Sequence, residues 1–171
     1  MPDLLSTAPW VFEGFLSLVQ ATGAAQSPPV AVVPFMLEEY EPASYVMLTG
    51  IEGHRFEWET IGSFSQKEYY SLTGVATVFV GDSPDSLNPA VATNVLNETY
   101  ALFNNVIMTT VMSNRIVPVL NNAYPIPGAV YSILPGYARY TASPGVLSGI
   151  AAGWEGTIQF AYDIMAYITP A

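Results

Sequence analysis

Residues 69–80 divide into two alternating sets, one apolar throughout and one mixed with Ser and Thr. Tyr70, Leu72, Gly74, Ala76, Val78 and Val80 fall on one side, and Tyr69, Ser71, Thr73, Val75, Thr77 and Phe79 on the other. A period of two marks a strand with two distinct faces, and the first set is the one to bury. After the turn GDSPDSLNP the period changes to that of a helix. Asn88 supplies an N-cap oxygen and Pro89 fits the first helical position. A helix over 89–112 is predicted, with Ala92, Val95, Leu96, Thr99, Leu102, Phe103, Val106 and Ile107 as its buried stripe. A second alternation occupies GWEGTIQFAYDIMAYI. Ile158, Phe160, Tyr162, Ile164, Ala166 and Ile168 point one way; Thr157, Gln159, Ala161, Asp163, Met165 and Tyr167 point the other. It predicts a long strand over 155–168 that pairs in the centre of a sheet.

Upstream, Leu4, Leu5, Val11, Phe12, Phe15, Leu16 and Val19 have helical spacing, and Ser6 and Thr7 before Pro9 mark a helix start. A helix over 9–21 is predicted, ended by TGAAQSPP. VAVVPFMLEEYEP reads as a strand broken at Pro34, which belongs on an edge or at a bulge. SYVMLTG reads as a second short strand. HRFEWETIGSF reads as a half-buried antiparallel strand, with Phe56 and Trp58 on one face and Arg55, Glu57 and Glu59 on the other. Residues 116–153 are rich in proline and glycine and read as a loop or arm, with one short strand at GAVYSILP. Strand runs separated by a helix, without strict alternation, predict an α+β domain. The expected architecture is a single domain over 1–171: a mostly antiparallel sheet with an N-terminal helix and one long helix packed on one face. At 171 residues and 51% hydrophobic content, one core is enough.

Charge narrows the function. Fourteen acidic residues face only Arg55, Lys67, Arg115 and Arg139, for a formal charge of -10. Four scattered cations cannot form the basic patch that grips phosphates, which argues against nucleic-acid binding by attraction. An acidic surface can still lie beside DNA and leave it mobile. Charged residues make up 11% of the chain, against roughly 25% in an average domain. Three Trp, eleven Tyr and eight Phe are spread along it, and Tyr and Trp favour protein interfaces. The bland reading is a large core under a Tyr-rich surface; the sharper one is that other subunits cover much of that surface. No run of about 20 apolar residues escapes helix breakers, so no membrane span is expected. The first basic residue is Arg55, so the positive region of a secretory signal peptide is missing. Without cysteine, disulfides and thiolate chemistry are excluded.

Candidate chemistry is sparse. His54 is the sole histidine, and GIEGHRF places neither a nucleophile nor an orienting partner beside it, so it reads as a strand-edge histidine. One histidine without cysteine cannot make a zinc site of nitrogen and sulfur ligands. Glu38, Glu39, Glu41, Glu52, Glu57, Glu59 and Glu68 form an acidic group without calcium-loop spacing, and read as a solvated or repulsive surface. Neither LTGIEGHR nor AAGWEG is a phosphate-cradling loop, and no GxSxG elbow occurs. The expectation is a protein that is not an enzyme, with no catalytic residue, cofactor or metal.

The N-terminal helix, the strands leading into YVMLTGIEG, the segment EYYSLTGVATVFVGDSPDSLNPAVATNVLNETYALFNNVI and the strand GWEGTIQFAYDIMAY together resemble the tail terminator family of long-tailed bacteriophages. The likeness is one of pattern and spacing over most of the chain. It implies a virion protein, assembled in the host cytoplasm, that forms a ring, typically a hexamer, at the head-proximal end of the tail tube. Such a ring stops tube growth and joins the tail to head-completion (neck) proteins. Its implied partners are copies of itself, the tail tube protein and a neck protein, with DNA only passing through the lumen. Rings need a head-to-tail interface that closes by rotation. Glu38, Glu39, Glu41, Glu57 and Glu59 are the candidate acidic lumen face, and 116–153, absent from smaller members, is the candidate interface arm. The alternatives are another tail tube or neck subunit, and a small-ligand binding module walled by Trp58, Trp154 or Tyr162.

Overall fold

The computed structural model describes residues 6–34, 42–58, 66–81, 88–112, 128–146 and 152–168. Helix α1 spans Ala8–Ala24 and carries Pro9 in its first turn, where the missing amide is harmless. Ala8, Val11, Phe15, Val19 and Gly23 recur every three or four residues and form its buried stripe. Strand β1, Ala31–Val33, lies parallel to β2 at an edge of the sheet, consistent with the following Pro34. Any continuation over 35–41 lies outside the described residues.

Where two strands are expected, the chain forms one. β2 spans Ser44–Trp58 and pairs antiparallel with β3, Gln66–Val80. Its register slips between Leu48 and Gly50 and again between Glu52 and Arg55. The glycines of TGIEGH, which signal a turn, are absorbed as bulges. Gly53 sits at φ +62°, a left-handed conformation that glycine enters at little cost. The distal part of β2 is not half-buried as expected. Phe56 remains 45% exposed, because the helices cover little of that end of the sheet.

Asn88 caps α2 (Pro89–Leu102), its Oδ1 accepting from the Ala90 amide at 2.9 Å. The helix continues through a π-helical turn, Phe103–Met108, into α3, Thr109–Met112. A wider turn re-phases the stripe, so Val95, Thr99, Leu102, Phe103, Val106, Ile107, Thr110 and Val111 all stay inward. Ala92 and Leu96 are only half-buried.

The segment read as a loop or arm, 116–153, is strand in its described part. β4 spans Gly128–Val146, and Ala152 and Gly153 open β5, Ala152–Ile168. Prolines 135 and 144 do not break β4 because it is an edge strand among the described residues, where proline's missing amide costs no ladder bond on the outer side. A register shift between Pro135 and Tyr137 takes up the strain.

The sheet order is β1-β2-β3-β5-β4, antiparallel except for β1. β3 and β5 pair without a slip from Gln66↔Ile168 to Val80↔Trp154, which places β5 inside the sheet as expected. One face, carrying Val46, Leu48, Tyr70, Leu72, Ala76, Ile158, Phe160, Tyr162 and Ile164, packs into a single core with residues of α1, α2 and the π turn. Each large side chain buried there stabilises by roughly 1.5–3 kcal/mol. Phe160 lies across Gly74, its cross-strand partner, and tilts against Phe103 at 5.6 Å and Tyr162 at 6.0 Å.

Burial gives the core a pH limit. Tyr162 is 2% exposed and its hydroxyl donates to Met108 Sδ at 3.1 Å. Desolvation pushes its phenol from 10.0 up to about 12. Desolvation also raises Tyr70, the Glu68 charge adding to the rise and the Thr7 hydrogen bond opposing it. A phenol raised in the folded state contributes stability that is complete below pH 10 and is lost as pH climbs toward 12. The denaturant midpoint should therefore fall across that window, and less steeply in Tyr162→Phe. An identical slope in the two proteins would show that Tyr162 ionises freely in the fold.

Candidate functional site: the sheet edges and the helix-free face

Continuing the core-side alternation of β3 two residues below Tyr70 reaches Glu68, which is 0% exposed. It was expected on an acidic surface; instead it is the anchor of α1. Its Oε2 accepts from the Thr7 amide at 2.8 Å and from Thr7 Oγ1 at 2.5 Å. Its Oε1 accepts from Ser6 Oγ and meets His54 Nε2 at 2.5 Å. The second β2 bulge brings His54 to the helix side, where its ring lies 4.7 Å from Phe56 and edge-on to Tyr70 at 5.6 Å. Tyr70 Oη lies 3.1 Å from Thr7 Oγ1 and completes the cluster. The fold thus supplies His54 with a carboxylate and a nearby hydroxyl that its sequence neighbours lack. The order of groups is wrong for nucleophile activation, because Ser6 and His54 both contact Glu68, whereas a base must contact the hydroxyl. The cluster fastens the start of α1 to β3.

Of the candidate lumen residues, only Glu57 lies within the described residues; Glu38, Glu39, Glu41 and Glu59 lie outside them. Glu57 is exposed, opposite Lys67 in register, with Arg55 Nη1 at 3.8 Å. Such an exposed pair contributes little. The β2, β3 and β5 registers place Glu52, Glu57, Glu155 and Asp163 on the face without helices, with Arg55, Lys67 and, on β4, Arg139. Arg55 lies over the Tyr69 ring at 4.7 Å, and Ser71 Oγ donates to Asp163 Oδ1 at 2.6 Å. A cleft of about 370 Å³ opens here, lined by Gly53, Arg55, Tyr69, Tyr70, Ser71, Asp163 and Ile164. The aromatic walls expected for a ligand pocket are elsewhere. Tyr162 is in the core and Trp154 is half-buried beside Val80 and Pro144; the Trp58 side chain lies outside the description. Among the described residues no three or more His, Cys, Asp or Glu groups converge on a metal position.

The sheet edges are the least covered part of the molecule. Residues 134–139 and 141–144 of β4 are exposed on both faces, with Tyr131, Leu134 and Tyr137 at 65%, 59% and 54%. Among the described residues none pairs with the outer side of β4; β5 is its ladder partner, and Tyr140 packs against Tyr100 of α2 at 5.8 Å. On the opposite edge β1 covers only Tyr45, Val46 and Met47, and residues 52–57 of β2 are exposed on both faces. Long bare edges invite pairing with another chain. Periodicity alone hid this surface, since Pro135, Gly136 and Pro144 read as breakers.

Among the described residues no helix is long and apolar enough to cross a membrane. Neither the protein-family models nor the curated proteins compared with this chain include a match.

Proposed function

We propose that the chain is a virion structural protein of a long-tailed bacteriophage. It forms a ring that caps the head-proximal end of the tail tube, halts tube growth and joins the tail to the neck proteins. The observation that carries this reading is β4: a 19-residue strand whose outer half is bare on both faces. A ring of identical subunits buries two different surfaces per copy and so covers such an edge. The element order that resembles tail terminators and the low proportion of charged residues support it further. With helices outside, the helix-free face lines the lumen, and Glu57 stands on it among Glu52, Glu155 and Asp163. DNA passing such a face finds too few cations to hold it.

The test is the mass and shape of the purified protein, alone and with tail tubes. A closed particle of about six copies with a central hole, bound at one tube end, is the expected result. Open-ended polymers point instead to a tube subunit. A monomer or dimer at every concentration, with tube ends present, would sink the proposal.

A further inference from the structure

We infer that the outer edge of β4 in one copy pairs with the distal half of β2 in the next, so that the ring is a continuous intersubunit sheet. This rests on the reading above, that identical copies close a ring. Strand direction permits it. β2 runs opposite to β3, β3 to β5 and β5 to β4, so β2 and β4 are antiparallel to each other. A copy added beyond β4 in the same orientation therefore offers its β2 antiparallel to that edge, the arrangement short edge-to-edge contacts favour. Among the described residues β1 pairs only with the 45–47 end of β2, and none pairs with the outer side of the distal half. The exposed run of β4 reaches toward one end of the sheet and that of β2 toward the other, so pairing staggers the copies along the strands. A sheet that closes on itself requires such a stagger.

Charge selects the orientation. Copies of a chain with a formal charge of -10 repel one another unless the touching surfaces differ. They do differ. No acidic residue occurs between Glu98 and Glu155, and β4 lies wholly in that segment with Arg139 as its one charge. The exposed half of β2 carries Glu52 and Glu57. Arg139 and both glutamates stand on the helix-free face of their own sheet, so a continued sheet brings them to the same side. Leu134 and Tyr137 stand on that same face, opposite Asp163 and Ala161, and supply apolar surface beside the charges. A two-fold β4–β4 pairing would oppose Arg139 with its own copy, leave β2 bare and stop at a dimer.

The absence of cysteine makes a direct test clean. Arg139→Cys is combined in one chain with a cysteine at Glu52, Arg55 or Glu57, and the protein is mildly oxidised. Paired strands bring Cα atoms within disulfide reach. The expected result is a ladder of covalent oligomers ending at the ring number for at least one combination. An equimolar mixture of the two single variants should stop at a dimer, and Arg139→Cys alone should not cross-link. Independently, Arg139→Glu should weaken ring assembly at least tenfold, and adding Glu57→Arg should restore it. Self-cross-linking of Arg139→Cys would overturn the inference in favour of a two-fold contact. A native ring with no cross-link at any combination and no effect of Arg139→Glu would overturn it while leaving the ring intact. A wild type that never forms a ring overturns the reading beneath as well.

Discussion

Replacing Glu68 with alanine is expected to lower folding stability by about 3–5 kcal/mol, read as a shift of the urea midpoint without loss of cooperativity. The size follows from what the carboxylate leaves behind. Its removal strands the Thr7 amide, the Ser6 and Thr7 hydroxyls and the His54 ring around a site with 0% exposure. For the Thr7 amide and hydroxyl an unmade bond costs the full desolvation of each group, because Thr7 is itself 0% exposed, whereas Ser6 and His54 can turn in part to water. Glu68→Gln retains one acceptor oxygen but turns an amine toward groups that are themselves donors, so it should fall between the two. Hydrogen exchange should locate the damage in the first turn of α1. An alanine variant within about 1 kcal/mol of wild type would show that the cluster is not what fastens the helix.

Phe160→Ala should have a similar effect, about 3–5 kcal/mol, the usual cost of emptying an aromatic position in a packed core. The ring is 1% exposed, packs against Phe103 and Tyr162, and lies across the bare backbone of Gly74. Gly74→Ala alone should cost about 1–3 kcal/mol by overpacking. A methyl there would meet the Phe160 ring and come within 2.8 Å of the Met47 carbonyl oxygen. The two changes should not add. With the ring gone, the new methyl fills part of the space, and the double variant should be more stable than the sum of the single losses. Strict additivity would mean that the Met47 carbonyl, not the ring, is what glycine accommodates.

The strands β3 and β5 and the helix after Asn88 were legible in the sequence because periodicity, cap and burial all agree there. Tyr70, Leu72, Ala76 and Val78 are buried as their alternation requires, and so are all six of the inward set from Ile158 to Ile168. Glu68 shows where such reading stops. The same alternation reaches it one step before Tyr70, but a charged residue seldom occupies a core without a partner. The partners, Ser6 and Thr7, lie about sixty residues away in the chain, with no local trace of the contact. GAVYSILP marks the start of β4, but its continuation to Val146 was missed for the opposite reason. Its prolines are real breakers in a central strand, and only the finished sheet order reveals that this strand has one neighbour. SYVMLTG and HRFEWETIGSF read as two strands because Gly50 and Gly53 fall at their junction, and glycine serves turns and bulges alike. The π turn at Phe103–Met108 has no sequence signature at all; it is the adjustment that lets two helical halves face one sheet. The edge that matters most to the proposal is the part periodicity could not see.

The sheet order also dictates a sequence of events during synthesis. β5 follows β4 along the chain, yet it lies between β3 and β4, which share no ladder of their own. While the ribosome is extruding residues 128–146, the one strand that pairs with them among the described residues has not yet been made. It becomes a strand only when residues 152–168 slide in beside it. On the proposed pairing of copies, a nascent chain therefore has no finished edge to offer a neighbour until its own last strand is in place.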